Sequence, residues 1–330
     1  MSTTALTLAE IEALAKETLL AKGCDDANAA AITSTIVRAE RDGSASHGLF
    51  RLPGYVKSMA SGKVNGKASP VIEHKLASVL SVDGDYGYAP YTLECALPEL
   101  AKAAKNTGIA VMRVYNSFHF AALWPEVEYL AEQNLVGLAC TCFKPSVAPA
   151  GATKAFFGTN PLAFAWPRKG DTPVVFDMAT SRLAKGDVML AARDGHDLPD
   201  GTGLGPDGQP TNDPNEVLKG VLLPFGGYKG SAISMMVELL SSGLTGDNFS
   251  YEAEASDNND GGPARGGELV IAISPDLVAP EGWEDHSHDF FDKMAALEGV
   301  RMPGARRHIN RKDSGTRQVN SALIETIKGL

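Results

Sequence analysis

Cysteine is scarce in this 330-residue chain, and the spacing of Cys24, Cys95, Cys140 and Cys142 matches neither a thiolate metal site nor a disulfide framework. Cys140 and Cys142 alternate as on one face of a strand, which reads as small core residues in a reducing compartment. No apolar run approaches the ~20 residues a membrane-spanning helix needs. The first ten residues show no basic segment leading into an apolar stretch, so a cytoplasmic location is expected and no membrane is an expected partner. Positive charge is outweighed, with 30 Lys and Arg against 40 Asp and Glu and a net charge of −10, which argues against nucleic acid as the main partner. Walker A and Gly-x-Ser-x-Gly patterns are absent, which counts against nucleotide-hydrolysing and serine-hydrolase chemistry. His286 and His288 lie in an acidic stretch without partners at ligand spacing, so no metal is expected. One G-x-G-x-x-G match, Gly203-Leu-Gly205-Pro-Asp-Gly208, follows no apolar strand and is crowded by Pro206 and Pro210. A dinucleotide fingerprint needs a strand before it and a helix after it, so this match is rejected.

What is present suits an ordinary globular protein of one large or two smaller domains: 44% hydrophobic and 21% charged residues. Thr7 and Glu10 form a capping-box pattern ahead of Leu8, Ile11, Ala15 and Leu19 at helical spacing. Asp25 or Asp26 can cap a second helix that carries Ile32, Ile36 and Ala39. Strands are expected over 77–82, 109–114, 136–142, 162–166, 174–177 and 269–273. Helices are expected over 91–105, 124–133, 183–193, 231–243 and 285–298. This interspersion without a strict βαβ rhythm points to a mixed sheet with helical layers. Residues 195–214 and 250–267 read as long surface loops.

The chemistry concentrates in a few segments. In Ser46-His-Gly-Leu-Phe-Arg51 a proton carrier precedes a guanidinium by four residues. If Ser46 opens a helix, His47 and Arg51 share a face, one handling a proton and the other gripping a carboxylate; helix capping by Ser46 explains the same residues. Asp187 either bonds the His47 ring and raises its proton affinity or caps a helix near Val188; the sequence leaves both open. Pro224-Phe-Gly-Gly-Tyr-Lys-Gly-Ser231 offers glycines, a helix start and Lys229 to an anion, or is a turn capped by Ser231. His119 follows an expected strand, Thr159 and Asn160 sit in a tight turn, and Asp177 ends a strand. Arg301, Arg306, Arg307, Arg311 and Lys312 form a basic cluster that is either a solvated face or a phosphate contact.

In order along the chain, these segments resemble the malate/L-lactate dehydrogenase family of NAD(P)-dependent oxidoreductases, which is unrelated to the Rossmann lactate dehydrogenases. The likeness rests on Ser46-His-Gly-Leu-Phe-Arg51, Asn116-Ser-Phe-His-Phe-Ala-Ala-Leu123, Phe157-Gly-Thr-Asn-Pro161, Asp177-Met-Ala-Thr-Ser181, Gly186-Asp187, Pro224–Gly230 and Arg301-Met-Pro-Gly304. It spans about residues 5 to 312. His119-Phe-Ala-Ala-Leu-Trp-Pro125, Met235-Met-Val-Glu-Leu-Leu240 with the following Gly243–Phe249, and Arg301–Arg307 are similar to the cyclic-imine-acid reductase branch. Ala305 departs from that branch, which tends to carry an acid there.

The resemblance implies a non-Rossmann fold of α+β or α/β class, a three-layer sandwich around a mixed, largely antiparallel sheet with helical N- and C-terminal segments packed together. It implies a helical domain of residues 1–70 and 305–330, and a sheet domain of 71–304 with cofactor contacts from about 115 to 304. It also implies a homodimer with the cofactor near the subunit interface. By position, Ser46, His47 and Asp187 match the catalytic relay, and Arg51 and Thr159 match the substrate-binding residues. The cofactor contacts fall on His119, Phe120, Ala121, Ala122 and Leu123; on Asp177, Met178 and Ala179; on Tyr228 and Lys229; and on Glu298, Gly299, Val300, Arg301, Met302, Pro303 and Gly304. The activity implied is NADPH-dependent reduction of Δ1-piperideine-2-carboxylate to L-pipecolate and Δ1-pyrroline-2-carboxylate to L-proline, with NADH as the other candidate cofactor. The competing readings are a 2-keto-acid or 2-hydroxy-acid dehydrogenase of lactate, malate or ureidoglycolate type, and a silent binding protein on the same scaffold.

Overall fold

The computed structural model describes residues 2–330. The N-terminal capping box forms as expected: Thr7 Oγ1 accepts from the Glu10 N–H at 3.2 Å, and the Glu10 carboxylate accepts from the Thr7 N–H at 2.7 Å. It starts the helix Leu8–Ala21, and Asp25 caps Asp26–Arg41 by accepting from Asn28 N–H at 2.9 Å. Ile11, Ala15, Leu19, Ile32 and Ile36 are fully buried, the apolar stripe their spacing predicts. Val319, Ile324 and Ile327 from the other end of the chain enter the same core.

The strands are β1 (Thr3–Leu6), β2 (Val71–Leu76), β3 (Val79–Tyr88), β4 (Ile109–Phe118), β5 (Val136–Thr141), β6 (Leu162–Trp166), β7 (Val174–Met178), β8 (Gly203–Leu204), β9 (Pro210–Thr211), β10 (Val221–Leu222), β11 (Gly266–Ile273) and β12 (Arg317–Asn320). β1 pairs antiparallel with β12 and ties the termini together. The main sheet has seven strands in the order β2-β3-β4-β11-β5-β6-β7, and only β3 with β4 is parallel. It is an open, mixed sheet of largely antiparallel character.

Alternation along the strands sorts residues onto two faces. Met112, Ala139, Ala163, Ala165, Val270 and Ala272 pack with the helices Ala89–Thr107 and Trp124–Glu132. Cys140, Leu269 and Ile271 point the other way, onto Val237 and Leu240 of the helix Tyr228–Glu238 and its π-helical extension Leu239–Gly243. The result is helix, sheet, helix. Burial pushes the Cys140 and Cys142 thiols up to about 12, so both are inert core groups.

Three local expectations need correction. Residues 45–51 form no α-helix but two 3₁₀ turns, Ala45–His47 and Leu49–Arg51, separated by Gly48. The expected 231–243 helix begins earlier, at Tyr228 behind Gly227, while Ser231 Oγ accepts from the Ala150 N–H at 3.2 Å and is no cap. The 250–267 loop contains the helix Ser250–Ala255, started where the buried Glu238 carboxylate accepts from the Ser250 N–H at 3.0 Å. The rejected glycine match is the tip of a hairpin between β8 and β9, closed by Gly205 N–H to Gln209 O at 2.8 Å.

A buried clamp joins both ends of the chain to the sheet layer. Asp42, wholly buried, accepts from Arg311 Nη2 at 2.6 Å and from Arg41 Nε at 2.7 Å, and Arg311 also reaches Glu128 at 2.6 Å. One member of the basic cluster is thus consumed structurally. Burial opposes ionisation of Asp42, but the hydrogen bonds from Arg311 and Arg41 outweigh it and hold the carboxyl below its ordinary range. This contribution is present above the unfolded carboxyl pKa and is lost as pH falls through the lower folded value. Arg311→Ala strands Glu128 and leaves Asp42 with Arg41 alone, and is expected to cost about 3 kcal/mol in urea unfolding at pH 7. A loss below about 1 kcal/mol would place that clamp among ordinary surface pairs.

Candidate active site

Gly48 sets the geometry of the His47 turn. A Cβ there would lie 2.1 Å from Glu40 Oε1, the atom that accepts from the Leu49 N–H at 2.8 Å. The Glu40 carboxylate therefore holds the two 3₁₀ turns from beneath, and only a glycine leaves it room. His47 and Arg51 are not stacked at helical i, i+4 positions, yet both line one cleft.

Arg51 is fixed in three ways. Its Nε donates to the Ser46 carbonyl at 2.7 Å, its guanidinium lies 4.6 Å from the Phe120 ring centroid, and Gly186 faces it so closely that a Cβ would stand 2.8 Å from Nη2. Burial lowers its pKa to about 10, so it stays charged at neutral pH. Ser46 Oγ lies 3.1 Å from His47 Nδ1. Burial first, then the Arg51 and His119 charges, pushes His47 down to about 3, so this ring is neutral at pH 7. Asp187 lines the same cleft but is exposed and forms no hydrogen bond to His47. It is also no helix cap: the helix Lys185–Asp194 starts behind Ala184, with Asp187 in its first turn.

The cleft has two adjoining lobes that share His47, Ala121, Thr159, Pro161 and Ala184. The smaller, about 270 Å³, adds Arg51, His119, Phe120, Thr141, Lys144 and Lys185. The larger, about 460 Å³, adds Ser46, Ala122, Leu123, Asp177, Met178, Ala179, Asp187, Arg306 and Arg307. Asp177 anchors this lobe: its Oδ2 accepts from the Leu123 and Trp124 N–H groups at 2.8 and 3.1 Å, at the start of Trp124–Glu132. Burial raises Asp177 to about 6 despite those bonds. The Thr159 turn is braced by Asn160, whose Nδ2 donates to Glu238 Oε1 at 2.8 Å.

Most of the expected site residues therefore converge. Tyr228, Lys229 and residues 298–304 do not; they lie outside the walls of both lobes, and Tyr228 is 73% exposed. Sequence reasoning passed over Lys144 and Lys185 as site members, whereas Arg306 and Arg307 of the basic cluster do line the larger lobe. Lys185 immediately precedes the Gly186-Asp187 pair, and its lowered pKa, from burial and then Lys144 and Arg51, marks it as facing other cations. A bigger, apolar hollow of about 820 Å³ lies against β6, β7 and the helix Trp283–Ala295. It gathers no comparable set of polar groups, so the two-lobed cleft is the candidate active site.

Residues 6–328 match the family model described as malate/L-lactate dehydrogenase. The chain belongs to this family. It is 44% identical to the Δ1-pyrroline-2-carboxylate reductase of Ancylobacter novellus over 98% of this chain and 97% of that protein. It is 45% identical to a Δ1-pyrroline-2-carboxylate/Δ1-piperideine-2-carboxylate reductase of Pseudomonas putida, over 92% and 89% of the two chains. The crystal structure of Δ1-piperideine-2-carboxylate reductase from Pseudomonas syringae pv. tomato superposes with a TM-score of 0.93 at 42% identity, covering 99% of each chain. Membership of the malate/L-lactate dehydrogenase family brings a nicotinamide cofactor. The larger lobe suits such a group: Ala121, Ala122 and Ala179 let backbone approach closely, and the buried Arg307 Nε has no protein hydrogen-bond partner.

Replacing Arg51 by Gln removes one of the two charges depressing His47 while leaving the burial. The His47 midpoint in an NMR titration is expected to rise yet stay below its usual value near 6.5. An unchanged midpoint would show that Arg51 does not set the charge of that ring.

Proposed function

We propose that this chain reduces cyclic imine acids, Δ1-piperideine-2-carboxylate to L-pipecolate and Δ1-pyrroline-2-carboxylate to L-proline, with NADPH as electron donor. The observation that carries this reading is the Arg51 fork. Its Nε is spent on the Ser46 carbonyl, while neither Nη makes a hydrogen bond to any described residue. A charged, immobile guanidinium in a small lobe is a bidentate receptor for one carboxylate. Near-full-length likeness to reductases of two such ring acids selects the acid.

The bound nicotinamide supplies the hydride. Arg51 grips the substrate carboxylate, with the Thr159 hydroxyl as the neighbouring polar contact, and so fixes which face of the C=N bond meets the larger lobe. That carboxylate also neutralises one of the charges holding His47 down, so proton affinity at the ring rises as substrate arrives. Ser46 Oγ at Nδ1 leaves Nε2 as the nitrogen for the substrate. His47 then donates a proton to the imine nitrogen as C2 gains the hydride, and Asp187 on the same wall supplies negative charge opposite the cationic ring.

Arg306 and Arg307 support NADPH over NADH, since two guanidinium groups in the wall of the larger lobe suit an extra phosphate. We infer a homodimer that completes the cofactor site. Tyr228, Lys229 and residues 298–304 are not among the residues lining the cleft of their own chain, and Met235, Leu239, Leu244 and Leu297 are exposed apolar groups, three of them in or just past the helix that Tyr228 begins.

NADPH oxidation measured with both cyclic imines and with pyruvate is expected to show kcat/KM for an imine at least about tenfold above pyruvate, and higher with NADPH than with NADH. Preference for pyruvate would replace this reading with a keto-acid dehydrogenase. His47→Ala is expected to lower kcat by about 100-fold with little change in cofactor affinity. Turnover near wild type would remove His47 from proton donation.

A further inference from the structure

Behind the smaller lobe, four buried atoms have no hydrogen-bond partner among the described residues: His119 Nε2, Glu126 Oε2, and Glu268 Oε1 and Oε2. They come from three elements. His119 directly follows β4, Glu126 sits in the first turn of Trp124–Glu132, and Glu268 lies in β11 on the face shared with Val270 and Ala272, toward that helix. His119 Nε2 is 3.5 Å from Glu126 Oε1 and 3.8 Å from Glu268 Oε2, and none of the three side chains is more than 7% exposed. Two carboxylates in so dry a place need compensating charge. The other ring nitrogen, Nδ1, is not among the buried unpartnered atoms, and His119 lines the cleft beside Arg51.

We propose that Glu126 and Glu268 hold His119 as an imidazolium, so that its cleft side presents a second fixed positive charge, next to Arg51, to the substrate carboxylate. His119 is then a recognition group, and Glu126 and Glu268 are positioning residues that act through it. The assignment rests on the imine-acid reading of the cleft. The surroundings agree. Burial works against a charged His119, but Glu268, Glu126 and Asp177 outweigh it and raise its pKa. Burial raises Glu268 well above the carboxylate range, with His119 opposing and Glu126 adding. The other ionisable groups facing this nest are His47 and Arg51 from the 3₁₀ turns, Tyr55 from Leu52–Ala60, Cys140 from β5, and Asp177 at the end of β7 with Arg307 beyond it. The consequence is a division of labour between two adjacent histidines: His119 charged and His47 neutral in the resting protein.

The test is an NMR titration of both histidine rings in the intact protein without substrate or cofactor, followed by kinetics of Glu268→Gln. The wild-type His119 midpoint is expected above pH 7 with His47 well below it. In Glu268→Gln the His119 midpoint falls by about one unit or more. KM for Δ1-pyrroline-2-carboxylate at pH 8 then rises about tenfold while kcat changes less than about threefold, and Glu268→Asp recovers most of the loss. A His119 ring neutral at pH 7, or a midpoint unmoved in Glu268→Gln, overturns the proposal. So does one equivalent of divalent metal in purified wild type whose removal by chelator shifts the His119 signals. If Glu268→Gln fails to fold, the wild-type titration and Glu126→Gln decide. Because the titration uses no substrate, a charged His119 in a protein that ignores cyclic imines would refute the substrate reading instead.

Discussion

Everything in the cleft is referred to one guanidinium. Arg51 is pinned by the Ser46 carbonyl, laid on the Phe120 ring and admitted by the missing side chain of Gly186, so three separate elements must meet at it. The 3₁₀ turns bring Ser46 and His47, the end of β4 brings His119 and Phe120, and the start of Lys185–Asp194 brings Gly186 and Asp187. A flexible arginine would recover much of its rotamer entropy in the empty site and lose it on binding. Here that ordering is done by the fold, which is what preorganisation means for a clamp.

The layers around it explain why the turns stay in place. Glu40 supports Leu49 from the second helix, and two residues on Asp42 is locked to Arg311 and, through it, to Glu128 on the helix covering the sheet. The helical core built from both ends of the chain is thereby held against the sheet at the place where the cleft opens. Charge is ordered on the same plan around the smaller lobe: Arg51, Lys144 and Lys185 line it, while Glu126 and Glu268 lie behind it. The protein's overall negative charge is thus no obstacle to binding an acid.

Periodicity carried much of this architecture. Ile11, Ala15, Leu19, Ile32 and Ile36 announced their stripe, and alternation announced the strands on which Cys140 and Leu269 face one way and Ala139 and Val270 the other. The sequence misled where tertiary contacts override local pattern. Gly48 splits what spacing suggested was a helix, because a buried carboxylate from Asp26–Arg41 occupies the space beneath it. Ser250–Ala255 forms because Glu238, a dozen residues earlier, caps it, which composition could not reveal. At the site, short polar motifs flagged Ser46, His47, Arg51, Thr159 and Asp187. Glu126 and Glu268 were invisible because each looks like an ordinary acid in a helix or strand until the fold turns it inward. Lys144 was hidden for the same reason, in the loop that follows β5.

The central claim is that an acid held by Arg51 receives a hydride at C2 from a cofactor in the adjoining lobe. Reducing Δ1-pyrroline-2-carboxylate with NADPH deuterated at the transferring C4 position tests it directly, with the product analysed by mass spectrometry and chiral chromatography. One deuterium at C2 of a single enantiomer, L-proline, is the expected result. Unlabelled product, or label spread over both enantiomers, would mean that the clamp does not present one face of the imine to the cofactor.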